Sequence, residues 1–387
     1  MPRAILRLVV VLAVILGAAG IAEIWIRSDL HRFGLDVPDA ADNPLAAISE
    51  PDPVIGTRYE PNASTVVKSP RREFEVLYQI NEIGLRDHPL GTHLRKEARI
   101  LVLGGASIEG YGVDVEDNFM KHVQQAIDKT TELKPSVHFI RAARAGQGAV
   151  EAYLLGGQLM ETQKPHAILF FYDSGMPAID RAVLARTAKD GNGLATKIAP
   201  ATEGAGSRGI VDTLAGSSML AKLAAMRMHA ARARAALKPG DPAADPYAGL
   251  RANALAAVHG PSLQHVKALA AKAKAAGIPF VLVHLPLPVQ VSAQEWEAGR
   301  ADLGFEAKVY GTEDAAAVAA FCKDAGLECL ALHEHFQEVA KRDRTLLFYP
   351  YTLALNPEGH RTLTAWGTTA LYETFKKDGV LEAAMQQ

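Results

Sequence analysis

At 387 residues, 49% of them hydrophobic, the chain is long enough to bury one large α/β core or two smaller ones. A formal net charge of −2 excludes the global basic field that steers proteins onto nucleic acid. Two cysteines are too few for a disulfide framework or a four-ligand zinc site built on cysteine.

The chain opens with Arg3 and Arg7, followed by Leu8 to Ile26, 19 nearly continuous apolar residues with Glu23 as the only charge. Arg27, Asp29 and Arg32 follow. About 20 apolar residues cross a bilayer, so residues 1–28 read as one N-terminal transmembrane helix, with a slight basic bias placing the N-terminus in the cytoplasm. A cleaved signal peptide is the alternative, because Gly20-Ile21-Ala22 resembles a small-residue cleavage site. Either reading exports the rest of the chain. Glu23, near the end of the span, is expected to reach the interface.

Residues 29–90 are polar and proline-rich, and read as a spacer and extended lead-in. Within them Asp52–Arg58 and Asn81–Asp87 have the composition of ordered loops. From Arg99 the pattern alternates. Ile100–Leu103, Val137–Ile140, Ala167–Tyr172, Phe280–Leu285 and Leu327–Leu332 are short apolar runs of strand length. Between them, helical periodicity covers residues 117–131, 149–162, 262–276 and 312–325, and a closing helix covers 356–375. Ser262 is placed as an N-cap, Gly277 and Gly326 as stops, and Asn356 as a cap with Pro357 at the first helical position. This alternation predicts a mainly parallel sheet with helices on both faces, and a site beyond the carboxyl ends of the strands. Residues 181–260 interrupt it as an alanine-rich insertion. Lys222, Arg227, Arg232, Arg234 and Lys238 lie there without an acidic residue between Thr213 and Gly240. A solvated amphipathic helix and a basic face for anionic lipid or a partner are both open readings.

Five separated stretches resemble membrane-anchored, periplasmic hydrolases and acyltransferases of the SGNH (GDSL) type. They are Asp52–Arg58; Asn81–Asp87; Arg99–Val113 with Asn118-Phe119; Ile140–Tyr153 with Lys164–Tyr172; and Leu347–His360, which ends in Asn-Pro-Glu-Gly-His. The resemblance implies a three-layer, flavodoxin-like fold over residues 91–387. It also implies where chemistry would stand. Aligned on Gly104 and Gly110, Gly105 takes the place of the family's aspartate and Ala106 that of the nucleophilic serine. Gly146 matches the glycine whose amide serves the oxyanion hole. Ser174 stands where the family carries an oxyanion asparagine. Thr352 and Ala354 stand where the orienting aspartate and the basic histidine precede Asn-Pro-Glu-Gly-His. A methyl group cannot attack a carbonyl, and neither Thr352 nor Ala354 can hold or move the proton.

Ser107 is the fallback nucleophile, one residue late. Its candidate partners are weak: His360 falls in the first turns of the last helix, His284 ends a strand, and Glu109 reads as an exposed turn carboxylate. His333 and His335 would share a face in extended backbone, but a third metal ligand is missing nearby, so neither a metal nor a cofactor is expected. Cys322 and Cys329 flank a turn and are either a local disulfide or two buried thiols. The resulting expectation is an SGNH-like pseudoenzyme, a binding or scaffolding subunit at the periplasmic face of a bacterial inner membrane. From the resemblance come a glycan or acyl ligand and a membrane-bound O-acyltransferase as partner. An active esterase or O-acetyltransferase built around Ser107, and a structural subunit of an envelope complex, are the alternatives.

Overall fold

The computed structural model describes residues 3–28, 44–69, 71–89, 97–130, 136–200, 218–221, 223, 256–302 and 305–386. The chain divides into two compact units, residues 1–43 with 202–244, and residues 44–201 with 245–387.

In the first unit Arg3–Ser28 is one helix. Among the described residues no helix is long and apolar enough to cross a membrane; the side chains of residues 3–9 and 12 of this helix lie outside that description. Glu23 does not simply reach outward. Its carboxylate accepts from the amides of Met219 and Leu220 and from the hydroxyl of Ser218, each at 2.9 Å, and from Arg27. A carboxylate at a helix start offsets its free amides and its positive dipole end. The basic residues of the insertion lie outside the described residues.

The second unit is built on a parallel sheet of five strands, β5 (Glu97–Leu103), β6 (Ser136–Arg141), β7 (Ala167–Asp173), β10 (Phe280–Leu285) and β11 (Glu328–Ala331), in the order β11-β10-β7-β5-β6. Numbered within the sheet this is 2-1-3-4-5, the flavodoxin-like order, whose crevice opens between β5 and β7. The period of two along each strand builds the layers. Ile100 and Val102 face the helices Phe119–Thr130 and Pro357–Lys377 through Val123, Leu363, Leu371 and Phe375. Leu101 and Leu103 face the opposite way, toward the helices Ala149–Gln163 and Ala256–Ala275 through Leu154, Val266 and Leu269. Each fully buried Leu or Phe contributes on the order of 2 kcal/mol, and Phe171→Ala at the sheet centre would cost about 3–5 kcal/mol through the cavity left behind.

The lead-in is more structured than its composition suggests. From Pro44 on it forms two antiparallel pairs, β1 (Ser49–Asp52) with β2 (Gly56–Tyr59) and β3 (Ser64–Lys68) with β4 (Glu75–Gln79). They share a small core of Ile48, Tyr59, Val67, Val76, Tyr78 and Ile80. Prolines occupy turn and edge positions here, so they punctuate strands instead of abolishing them. The insertion also starts later than residue 181. The helix Met176–Leu184 and the hairpin β8 (Thr187–Lys189)–β9 (Ala195–Ile198) precede it, and Ala195 and Ile198 are buried in the main core.

Ser262 is not an N-cap. The helix runs through Pro261 from Ala256 to Ala275, and the Ser262 hydroxyl donates instead to Asp180. Asn356 does cap: its Oδ1 accepts from the Gly359 amide at 3.0 Å, with Pro357 next in the chain. Cys322 and Cys329 are joined in a disulfide across the turn at Gly326, with Cα atoms 6.1 Å apart.

Candidate functional site

The crevice of this sheet order lies at the carboxyl ends of β5 and β7, and the loops predicted to carry the site converge there. After β5 the chain makes one helical turn, Ala106–Glu109, closed by Gly110 in the left-handed region at φ +84°. A Cβ at Gly110 would stand 2.7 Å from Asn118 Nδ2. That amide donates to the carbonyls of Ile108 and Glu109, both at 3.2 Å. Arg86 closes the same turn by donating to the carbonyls of Glu109, Gly110 and Val113. The glycines, Asn118 and Arg86 therefore hold the shape of the turn without any reference to the side chain at Ala106.

Around this turn the loops meet in pairs. A Cβ on Gly105 would lie 3.5 Å from Asp173 Oδ2 and 3.8 Å from the carbonyl of Gln147. The Ser107 hydroxyl lies 3.2 Å from the Leu355 amide, which donates to it, and 3.5 Å from the carbonyl of Leu353. Gly146 has φ +76° and no atom within 4 Å of its missing Cβ. So the turn, the Gly146 loop, the start of the Ser174 loop and the 352–354 loop do assemble on one rim.

The groups themselves are engaged elsewhere. Ser107 is buried and among the described residues bonds no histidine. The Thr352 hydroxyl donates to Glu73 at 2.7 Å, and the same carboxylate accepts from the Tyr351 amide. Ala354 is buried. Ser174 donates to the carboxylate of Asp314. His360 accepts from the Phe119 amide at 3.4 Å and stacks on the Phe119 ring; burial brings its pKa down to about 3.

Glu109 is a correction to the sequence reading. It is 3% exposed, not a solvated turn residue. Its carboxylate accepts from the hydroxyls of Tyr59 and Tyr78 and from the Ala145 amide at 2.9 Å. Burial pushes its pKa up, against the pull of Arg86 and of the bonds from Tyr59 and Ala145. An isolated turn gives no sign that a separate hairpin layer will cover it. Phe170, Phe171 and Tyr172 are core residues.

A second cluster, legible from no local motif, lies on the same rim past β7. Asp314, from the first turn of the helix Thr312–Ala325, sits at its centre and is fully buried. Its carboxylate accepts from Ser174, from Gln290 Nε2 at 2.9 Å, and bonds His259 Nε2; His259 Nδ1 meets the Tyr172 hydroxyl. Burial pushes the Asp314 carboxyl up, but the contacts with His259 and His284 outweigh it and hold the pKa well below the usual carboxylate range. Serine, histidine and aspartate are all present, yet serine and histidine both point at the carboxylate. A triad needs the imidazole between the other two, where it can take the serine proton.

His284, at the end of β10, lies with Nε2 3.6 Å from Asp314 Oδ2. His333 packs on it with ring centroids 4.5 Å apart. Burial, then the neighbouring His284, brings the His333 pKa down to about 3. His333 opens the helix His333–Asp343, so it does not share a face with His335: helical residues two apart point in widely different directions.

A cleft of about 490 Å3 lies between the lead-in and the helix Ala149–Gln163, lined among others by Asp52, Arg58, Tyr59, Arg86 and Arg144. Its volume is in the range of small-ligand sites.

No family model and no curated protein matches the chain. Among solved structures it is similar to the psychrotrophic esterase EstA from a Pseudoalteromonas species, with 13% identity over 72% of this chain and 97% of that one and a TM-score of 0.35. It is also similar to a G-D-S-L family protein from Desulfitobacterium hafniense, at 12% identity, 70% and 98% coverage and a TM-score of 0.37. A third is a catalytic mutant of an acetylxylan esterase from Geobacillus stearothermophilus, at 9% identity, 73% and 94% coverage and a TM-score of 0.37.

Proposed function

We propose that this chain is an SGNH-hydrolase-like domain that has given up hydrolysis and acts as a binding or scaffolding subunit. One observation carries the reading: at the crevice, the nucleophile position is the methyl of Ala106, and both nearby hydroxyls are engaged by backbone or carboxylate. A serine esterase needs a hydroxyl facing an imidazole, with donors aimed at the developing oxyanion. The backbone of the turn is kept while each proton-handling position is replaced. The 490 Å3 cleft beside the Arg144 loop is where a ligand would bind. Arg58 and Arg144 on its wall, beside Asp52, Glu82 and Glu161, suit a hydroxyl-rich group such as an acylated glycan.

Membrane attachment through residues 3–28 belongs to the same proposal. It is supported by the apolar run Leu8–Ile26 and by the exposure of Val14, Leu16, Ile21 and Ile24. A periplasmic location on the inner membrane, and a partnership with a membrane-bound O-acyltransferase, extend it from the sequence resemblance. The experiment is active-site labelling with a fluorophosphonate probe on the full chain in mild detergent, beside thermal shift with acetylated oligosaccharides. No labelling together with a ligand-induced rise in Tm supports a binding subunit. Labelling that Ser107→Ala abolishes would establish the rival esterase. Neither labelling nor a shift, with a protein of fixed stoichiometry co-purifying, would leave a structural subunit.

A further inference from the structure

We propose that His284, Asp314 and His333 form a binding site for a divalent transition metal, zinc by its donor set. The three come from separate elements: the end of β10, the first turn of the helix Thr312–Ala325, and the first residue of the helix His333–Asp343. The Leu332 amide donates to the His284 carbonyl at 3.0 Å, which brings the two histidines side by side. One ligand atom from each of the three residues lies within 4.8 Å of the other two. A tetrahedral zinc with bonds of about 2.1 Å holds its ligand atoms about 3.4 Å apart. The 3.6 Å between His284 Nε2 and Asp314 Oδ2 is already close to that spacing, and His333, whose ligand atom lies within 4.8 Å of both, would close the set by a shift of about 1.4 Å or less.

The second observation is independent of the clustering. His284 is 2% exposed and His333 7% exposed; among the described residues both ring nitrogens of His333 and Nδ1 of His284 have no hydrogen-bond partner, and His284 Nε2 has only the Asp314 carboxylate, at 3.6 Å. Buried polar nitrogens are almost always satisfied, so three imidazole nitrogens without a partner on two rings beside one carboxylate point to a ligand. The acceptor of a lone pair from each ring is a cation. Two neutral imidazoles and a carboxylate form a three-ligand set that suits zinc and leaves a fourth position for water.

The surroundings of Asp314 match those of a metal-bound carboxylate, which is hydrogen-bonded in turn by groups that orient it. Ser174 and Gln290 donate to Oδ2, and His259 bonds Oδ1 while its other nitrogen meets Tyr172. Ser174 then has a task at the position where the resembled family carries an oxyanion donor: it positions a ligand of the metal. Three elements of the fold are tied at one point.

The test uses the full chain in mild detergent, stripped with a chelator, dialysed and titrated with Co2+ and then Zn2+. One Co2+ per chain is expected, with the intense visible bands of a tetrahedral ion, and Zn2+ displaces it. Zinc in hundredfold excess over its Kd is expected to raise Tm by about 4 °C. His284→Ala and His333→Ala lower Co2+ affinity by about 100-fold or more, Ser174→Ala by about tenfold, and His335→Ala, outside the cluster, leaves it unchanged. No Co2+ binding, or binding that His284→Ala and His333→Ala leave intact, overturns the proposal. Should those variants fail to fold, the wild-type spectrum decides: tetrahedral bands support the site, and weak octahedral absorption overturns it.

Discussion

The Leu355 amide donates a hydrogen bond to the Ser107 hydroxyl across 3.2 Å, joining the turn after β5 to the loop that precedes the last helix. In an enzyme of the resembled type these two segments would bring a nucleophile to a base. Here their contact is a serine holding backbone. Ser107→Ala is therefore expected to leave reactivity toward fluorophosphonates unchanged and to cost about 1 kcal/mol of stability, the usual worth of one buried hydrogen bond. Urea denaturation beside the labelling assay reads both; loss of labelling with unchanged stability contradicts it.

On the proposed reading, a serine at position 106 is not enough for hydrolysis. Ala106→Ser places a hydroxyl on the turn, but no imidazole stands at Ala354, and an unactivated serine is a poor nucleophile. Hydrolysis of p-nitrophenyl acetate by this variant is expected to stay within about tenfold of the wild-type rate. A thousandfold gain would mean that another base is in reach.

Two buried carboxyls set a pH dependence of unusual sign. Burial raises Glu295 from 4.5 to about 7, although it accepts from the Leu347 and Phe348 amides, and burial raises Asp180 from 3.8 to about 6. Each binds its proton more tightly folded than unfolded. Below the unfolded values both states are protonated and nothing is lost. As pH rises toward the folded values, the unfolded chain ionises first and stability falls, levelling off above about pH 7. Glu295→Gln keeps an acceptor for the Leu347 amide and removes the ionisation. It is expected to flatten the decline between pH 4.5 and 7, by an amount on the order of 3 kcal/mol. Denaturation midpoints measured across that range would show parallel curves if the carboxyl had no part.

Asn356 works at both ends of its amide. Its oxygen caps the last helix at Gly359, and its Nδ2 donates to the carbonyls of Leu346 and Phe348 at 2.8 and 3.1 Å. Asn356→Ala should cost about 2 kcal/mol, and Asn356→Asp, which keeps the cap and loses the donors, about half as much. Equal costs in urea melts would show that the cap contributes nothing.

The Cys322–Cys329 bridge closes a short loop, with a sequence separation of seven residues. Loop-closure entropy for so short a span gives about 2 kcal/mol. Replacing both cysteines by serine, or reducing the wild type with dithiothreitol, should lower the urea midpoint by matching amounts. Unequal shifts would point to strain or packing at the serines.

The five sheet strands were legible as apolar runs and five helices by their period, while the helices Met176–Leu184 and His333–Asp343 were not. The apolar runs of β5 and β7 and the cap at Asn356 are local signals, and they appear within three residues of their expected bounds. Local signals also misled. Gly260-Pro261-Ser262 reads as a helix start, but packing against Asp180 and the sheet carries the helix through it. Glu109 reads as exposed because the hairpins that bury it lie tens of residues upstream.

What Ala106, Thr352 and Ala354 lack is complete in the sequence: no fold can supply a hydroxyl to Ala106 or an ionisable group to Thr352 and Ala354. The sequence by itself therefore determined the layered α/β architecture and the side chains that positions 106, 352 and 354 bring to the crevice. It could not reveal that His284, Asp314 and His333 meet. They lie 30 and 19 residues apart along the chain, on three elements whose meeting is decided by the order in which β7, β10 and β11 pair. Spacing in sequence encodes only the period of one element, whereas a site assembled from several depends on their crossing, and only the tertiary structure decides that.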